Sequence, residues 1–267
     1  MADLHRDETG AALLRVSGLS RNFYGVQAIQ AADLEVRPGT ITGLIGPNGA
    51  GKTTLFNCIS GVIPPDAGQV VFDGEDITGW RPERISRRGM VRTFQIARGL
   101  PRLTVLENLL LYGIDQPGEH LGRLFLLPGA VAKREAELTD QAIAIADKLR
   151  LTEVLNNRAD EVSGGQKKLL EIGRALMTRP KLILLDEPIA GVNPSLASEI
   201  ADQLVRLREE EGLTFLIIEH DMDLIARLCD PVTVMANGRR LAEGGFDEIT
   251  HNPDVQEAYL GSRKWAS

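Results

Sequence analysis

Apolar residues in this chain come in short runs. Thr40 to Ile45, Lys181 to Leu185, Thr214 to Ile218 and Val232 to Ala236 are brief and dense in Ile, Leu and Val. That is the signature of strands buried on both faces. Leu14 to Leu19, Ala31 to Val36 before Pro38-Gly39, and Val70 to Phe72 before Asp73-Gly74 predict further short strands bounded by turns. Helical spacing governs other stretches. Thr53 to Ser60 predicts a helix stopped by Gly61 and Pro64-Pro65, and Val105 to Leu111 and Ser195 to Glu209 predict two more. Lys133 to Leu151 is rich in helix formers, with apolar residues at helical intervals.

Strands alternating with helices predict an α/β domain. Residues 96 to 161 break that alternation and predict a mostly helical insert within it, whereas residues 1 to 11 read as a loose lead-in. There is no internal repeat, and Asn237-Gly238 predicts a tight turn after the last apolar run.

Composition narrows the function classes. Of 267 residues, 43% are hydrophobic and only 4% aromatic, and 37 acidic against 30 basic residues give a net charge of -7. This argues against nucleic acid as a partner, since both a basic footprint and aromatic platforms for bases are wanting. Arg81, Arg84, Arg87, Arg88 and Arg92 lie close together and predict a solvated basic face. Cys58 and Cys229 sit in apolar surroundings with no metal-like spacing, which predicts buried free thiols. No stretch approaches the roughly 20 apolar residues needed to cross a bilayer. Work at a membrane would therefore need another subunit to hold the chain there.

The chemistry begins at Gly46-Pro47-Asn48-Gly49-Ala50-Gly51-Lys52-Thr53-Thr54. It matches GxxxxGK[ST], follows a predicted strand and opens a predicted helix, the context in which consecutive amides cradle phosphates. Lys52 is expected to reach the β- and γ-phosphates of ATP, and the Thr53 hydroxyl to hold Mg²⁺. A second element is Leu182-Ile183-Leu184-Leu185-Asp186-Glu187, an apolar strand delivering two carboxylates to its carboxyl end. Asp186 suits a role at the metal, and Glu187 can polarise an attacking water. A third is Val162-Ser163-Gly164-Gly165-Gln166, where a serine and two glycines at a helix start make a second anion nest. One lysine-bearing loop and two phosphate-binding surfaces make sense if the second closes over a partner's nucleotide.

With these motifs the chain resembles the nucleotide-binding subunits of ABC transporters over nearly its whole length. The resemblance implies a P-loop ATPase core of α/β class, with an antiparallel β subdomain and an inserted helical subdomain. It implies that Ser163, Gly164 and Gly165 contact the γ-phosphate of ATP held by the opposite subunit. Gln95, in Arg92-Thr93-Phe94-Gln95, matches the glutamine that contacts Mg²⁺ or water and senses the membrane subunits. His220, in Glu219-His220-Asp221, matches the switch histidine at the γ-phosphate. The adenine-stacking ring is implied to be Phe23, with Tyr24 the alternative. Asn193 stands where most of the superfamily has aspartate, keeping hydrogen-bonding capacity without the charge.

Finer features resemble the larger ATPase of branched-chain amino acid importers. They are Met90 to Gln95 with Leu103 to Asn108, the long stretch before the signature, Leu185 to Pro194, and the tail Asn252 to Gly261. ATPases of urea, amide and aromatic-acid importers share much of this pattern and stay open as alternatives. A soluble ABC ATPase of DNA repair or translation is a further one. The resemblance implies as partners two multi-spanning permeases, a second ATPase subunit (a paralogue or a second copy) and an extracytoplasmic solute-binding protein. It places the chain peripherally on the cytoplasmic face of the plasma membrane. Residues 12–252 would form the ATPase domain, with 96–161 as its helical subdomain and 253–267 as a tail. Leu100, Pro101 and Leu103 are candidates for an apolar dock facing a permease helix.

Overall fold

The computed structural model describes residues 12–93, 100–114 and 128–260. Among the described residues, ten strands form two sheets. β1 (Leu14–Phe23), β2 (Val26–Val36), β4 (Ala67–Phe72) and β5 (Glu75–Asp76) build an antiparallel sheet in the order β2-β1-β4-β5. The larger sheet runs β10-β9-β3-β8-β7-β6, from β3 (Ile41–Ile45), β6 (Met90–Arg92), β7 (Leu182–Asp186), β8 (Thr214–Ile218), β9 (Val232–Ala236) and β10 (Arg239–Gly244). Its strands are parallel apart from the edge strand β10, which pairs antiparallel with β9.

The period of two along the central strands explains the layering. Leu182 and Leu184 of β7, Leu216 and Ile218 of β8 and Leu44 of β3 share one core with the small sheet and with α1 (Lys52–Ile59). Ile183, Leu185, Phe215, Ile217, Ile41 and Ile45 point the other way, into a second core walled by helices. Both faces of the sheet are thus covered, as a continuously apolar strand requires.

The helices of that second layer are α3 (Val105–Leu110), α4 (Pro128–Lys148), α5 (Gly164–Met177), α6 (Pro194–Glu211), α7 (Met222–Leu228), α8 (Phe246–His251) and α9 (Pro253–Leu260). Leu109 of α3, Ile145 of α4 and Leu149 just past its end converge on Gly173 of α5. Buried Arg174 of α5 donates through Nη2 to Asn108 Oδ1 of α3 at 2.6 Å, tying the helical region together. α9 buries Val255 and Tyr259 in the same core, so residue 252 marks no break in packing.

Some elements differ from the sequence expectations. α2 (Pro82–Arg88) and the short edge strand β6 have no apolar periodicity long enough to reveal them. β1 and β2 run to a two-residue turn at Tyr24-Gly25, both at positive φ (47° and 87°), the conformation that favours a tight hairpin. α4 ends at Lys148, ahead of the expected Leu151, and Arg150 follows at φ 55°. Among the described residues, no helix is long and apolar enough to cross a membrane.

Candidate functional site

Three neighbouring strands, β3, β8 and β7, end side by side and deliver the motifs to one edge of the sheet. The glycine-rich loop leaves β3 and closes into α1, whose first residue is Lys52. Gly46 sits at φ 149°, where an added Cβ would lie 2.1 Å from the Met235 carbonyl oxygen. Gly51 sits at φ 97°, with the Ala28 carbonyl oxygen 2.5 Å from an added Cβ. Only glycine can pass these two walls. The β9–β10 turn props the loop from outside, because Gly238 N–H donates to Ala50 O at 3.1 Å. The sequence marked Asn237-Gly238 only as a turn; its support of the loop is a tertiary fact.

Lys52 is 6% exposed, and its Nζ donates to Gly46 O at 2.6 Å and Pro47 O at 3.0 Å. Burial pushes its pKa down, while the carboxylates of Glu187 and Asp186 pull it back up. The ammonium therefore shares one neighbourhood with both acids. Amides at a helix start plus a buried ammonium form a receptacle for an anion.

Asp186 closes β7 and is 6% exposed. Its Oδ2 accepts from Arg92 Nη2 at 2.8 Å. Arg92 also donates through Nη1 to Asn57 Oδ1 at 2.5 Å, and its guanidinium lies 5.7 Å from the Phe56 ring centroid. Arg92 therefore leaves the basic face expected of it: it is a largely covered counter-charge joining β6, α1 and the end of β7. The rest of that cluster behaves as a surface group, with Arg88 paired to Glu75 and Arg84 stacked on Trp80.

Glu187 adopts φ 50°, an uncommon conformation for a residue with a Cβ. Its N–H donates to Ile218 O at 2.9 Å, and its Oε1 lies 3.0 Å from His220 Nε2. The acid after β7 and the histidine after β8 thus meet across the strand ends. Such a pair can hold a water and polarise it toward an electrophile nearby.

Ser163 caps α5, its Oγ accepting from Gln166 N at 3.3 Å while Gln166 Oε1 accepts from Ser163 N at 2.9 Å. The two glycines differ. Gly164 has open space around a Cβ position, whereas at Gly165 a Cβ would lie 2.2 Å from Leu196. Ser163, Gly164 and Gly165 line a shallow cleft with Gly191, Asn193, Ser195 and Glu199, and no lining residue comes from the phosphate loop. Asn193 caps α6, accepting from Leu196 N at 2.9 Å, a task its amide oxygen performs without charge.

Phe23 ends β1 half-buried, with the Arg21 guanidinium 5.0 Å from its ring centroid, whereas Tyr24 is fully exposed in the turn. β2 passes the phosphate loop at Ala28, whose carbonyl oxygen faces Gly51. Gln95 lies outside the described residues. Thr53 is exposed and Thr54 half-buried on the first turn of α1. Two functional candidates escaped the sequence. Arg92 was masked by its arginine-rich neighbourhood, and Glu219, buried beside His220, looked like one more charge in a polar loop end.

Comparison with known proteins bears on the family and the fold. A family model described as "ABC transporter" matches residues 29–190, and one described as "Branched-chain amino acid ATP-binding cassette transporter" matches residues 239–264. A probable branched-chain amino acid transport ATP-binding protein of Archaeoglobus fulgidus is 44% identical over 252 residues, covering 94% of this chain and 96% of the relative. A high-affinity branched-chain amino acid transport ATP-binding protein of Pseudomonas aeruginosa is 41% identical, covering 93% and 98%. Among solved structures, the ADP conformation of an ATP-binding cassette of an ABC transporter superposes with TM-score 0.81 at 39% identity, covering 94% of this chain and 100% of that one. A nucleotide-free cassette gives TM-score 0.80 at 42% identity, covering 93% and 99%.

Proposed function

The chain belongs to the ABC transporter family, as an ATP-hydrolysing subunit, and we propose that it powers the import of branched-chain amino acids. The observation that carries this is the meeting of Lys52, Asp186, Glu187 and His220 at the ends of adjacent strands. The likeness to branched-chain amino acid transport ATP-binding proteins over more than nine-tenths of the chain supplies the solute.

The loop from Gly46 to Thr54 binds the phosphates of ATP, with Lys52 turning its Nζ from the Gly46 and Pro47 carbonyls to the β- and γ-phosphate oxygens. The adenine stacks at the β1–β2 hairpin tip, on Phe23. A divalent cation fits here: the Thr53 hydroxyl and the Asp186 carboxylate are hard oxygen donors, and Mg²⁺ is commonly held by one or two protein oxygens plus phosphates. Gln95 is a third candidate from the sequence. Bound Mg²⁺ would neutralise charge on the β- and γ-phosphates. Arg92 holds Oδ2 of Asp186, which leaves the other carboxylate oxygen for the metal. Glu187 accepts a hydrogen bond from the attacking water and draws off its proton as the oxygen bonds to the γ-phosphorus, while the bond from that phosphorus to the β–γ bridging oxygen breaks and ADP leaves. His220 orients the Glu187 carboxylate, and Lys52 stabilises charge on the transferring group.

The cleft of Ser163, Gly164 and Gly165 completes the site of a second ATPase subunit, closing over that subunit's γ-phosphate. That none of its lining residues comes from the chain's own phosphate loop supports a head-to-tail pair. The permease docks on the exposed apolar side chains Leu100, Leu111 and Tyr112 beside Pro101. Leu103 is half-buried, its carbonyl accepting from Asn108 Nδ2 and Ala159 N, so it supports the dock from beneath. The chain sits peripherally at the cytoplasmic face of the membrane, and two multi-spanning permeases, a second ATPase and, on the opposite side, an extracytoplasmic binding protein complete the assembly.

Uptake of labelled leucine, isoleucine and valine in cells carrying Lys52→Ala in place of the wild-type chain tests this reading. Loss of that uptake supports it. Retained leucine uptake with loss of urea, amide or aromatic-acid uptake would move the solute, and unaffected uptake of all of them would end the importer assignment.

A further inference from the structure

Glu219 is 4% exposed and no step of ATP hydrolysis described so far uses it. Its carboxylate is gripped from two segments. Ile189 N–H donates to Oε1 at 3.1 Å, and His220 N–H donates to Oε2 at 3.1 Å. Ile189 lies two residues past Glu187, and His220 is the residue whose ring meets Glu187.

The placement continues the sheet beyond its strands. The β7–β8 ladder ends with Asp186 opposite Ile218, and Glu187 N–H still reaches Ile218 O at 2.9 Å. At the next step the Glu219 side chain, rather than a backbone carbonyl, accepts from the β7 side. An ionised carboxylate offers acceptors on both oxygens and so takes both amides at once. Burial raises the Glu219 pKa, the two amides oppose that shift, and the nearby Glu187 and Asp221 add to it.

We propose that Glu219 is a positioning residue for hydrolysis: its carboxylate locks the segment after Glu187 to the backbone of His220 and so holds the His220 ring on Glu187. Glu187 sits at φ 50°, a conformation that persists only where its surroundings over-determine it. The Glu219 clamp supplies one such constraint and the Ile218 carbonyl another. The same segment runs on to Asn193 at the head of α6, so the clamp also links the hydrolytic pair to the cleft that faces a partner. The inference rests on Glu187 and His220 being the hydrolytic pair.

The test is steady-state ATPase kinetics and thermal unfolding of five purified full-length chains: wild type, Glu219→Gln, Glu219→Asp, His220→Ala and the Glu219→Gln/His220→Ala double variant. Gln can accept from one amide but turns an NH₂ group on the other. We expect Glu219→Gln to lower kcat roughly tenfold with KM for ATP changed less than about twofold. The double variant should match His220→Ala alone, because a residue acting through the histidine has nothing left to position. Glu219→Asp, which keeps the charge but is too short for both amides, should fall between wild type and Gln and serves if Gln unfolds. Wild-type kcat in both Glu219 variants, or a double variant slower by the product of the single effects, would overturn the proposal and leave the hydrolytic pair standing. Wild-type kcat in His220→Ala would overturn the pair itself and this inference with it.

Discussion

His220 Nε2 lies 3.0 Å from Glu187 Oε1, although the two residues belong to different strand ends. With Nε2 protonated the ring donates to the carboxylate and fixes its orientation. Glu187→Gln keeps the shape but removes the basic oxygen. It should slow ATP hydrolysis by roughly 100-fold or more while leaving nucleotide binding intact, as general-base contributions of this size imply. Single-turnover hydrolysis beside binding of a fluorescent ATP analogue checks it, and wild-type turnover would remove Glu187 from the mechanism.

The Arg92–Asp186 pair is buried, with side chains 11% and 5% exposed. Removing one partner strands the other charge, so Arg92→Ala should cost about 3 kcal/mol of stability. Adding Asp186→Asn should restore part of that loss, since no unpaired charge then remains. Urea denaturation of the two variants measures both effects; equal stability of Arg92→Ala and wild type would show that the pair carries no weight.

Gly46→Ala would place a Cβ 2.1 Å from the Met235 carbonyl oxygen. The loop must move or β9 must yield, at a cost of about 1–3 kcal/mol for local strain. If the same energy is lost from binding, ATP affinity should fall about 5- to 150-fold. Isothermal titration with a non-hydrolysable ATP analogue reads the change directly.

Asn193 caps α6 through its side-chain oxygen at 2.9 Å from Leu196 N. Asn193→Ala should lose about 1 kcal/mol, whereas Asn193→Asp, an equally good cap, should stay within about 0.5 kcal/mol of wild type. Thermal unfolding distinguishes the two. A large loss on Asn193→Asp would mean that the uncharged amide is needed for more than capping.

Leu100 is 52% exposed and Leu111 equally open. Leu100→Glu should leave ATP hydrolysis by the isolated chain unchanged and abolish recovery of permease subunits when the chain is purified gently from native membranes. Unchanged recovery would place the dock elsewhere.

Much of this was legible in the residues alone. Four short apolar runs could only be strands covered on both faces, because leaving them open would expose continuous Ile, Leu and Val to water. Gly46 to Thr53 and Leu182 to Glu187 were readable because phosphate binding and carboxylate delivery each demand contiguous residues in a local backbone shape. Ser163 capping α5 followed from the same local logic. The tertiary structure decided what depends on segments far apart in the chain. It alone showed that β3, β8 and β7 are neighbours, that Arg92 neutralises Asp186, that the Asn237-Gly238 turn props the phosphate loop, and that Glu219 clamps Ile189 to His220. The reason is physical: a charged residue reads as solvated in sequence unless its counter-charge is nearby along the chain. Here the partners that justify burying Arg92 and Glu219 arrive only when the sheet assembles.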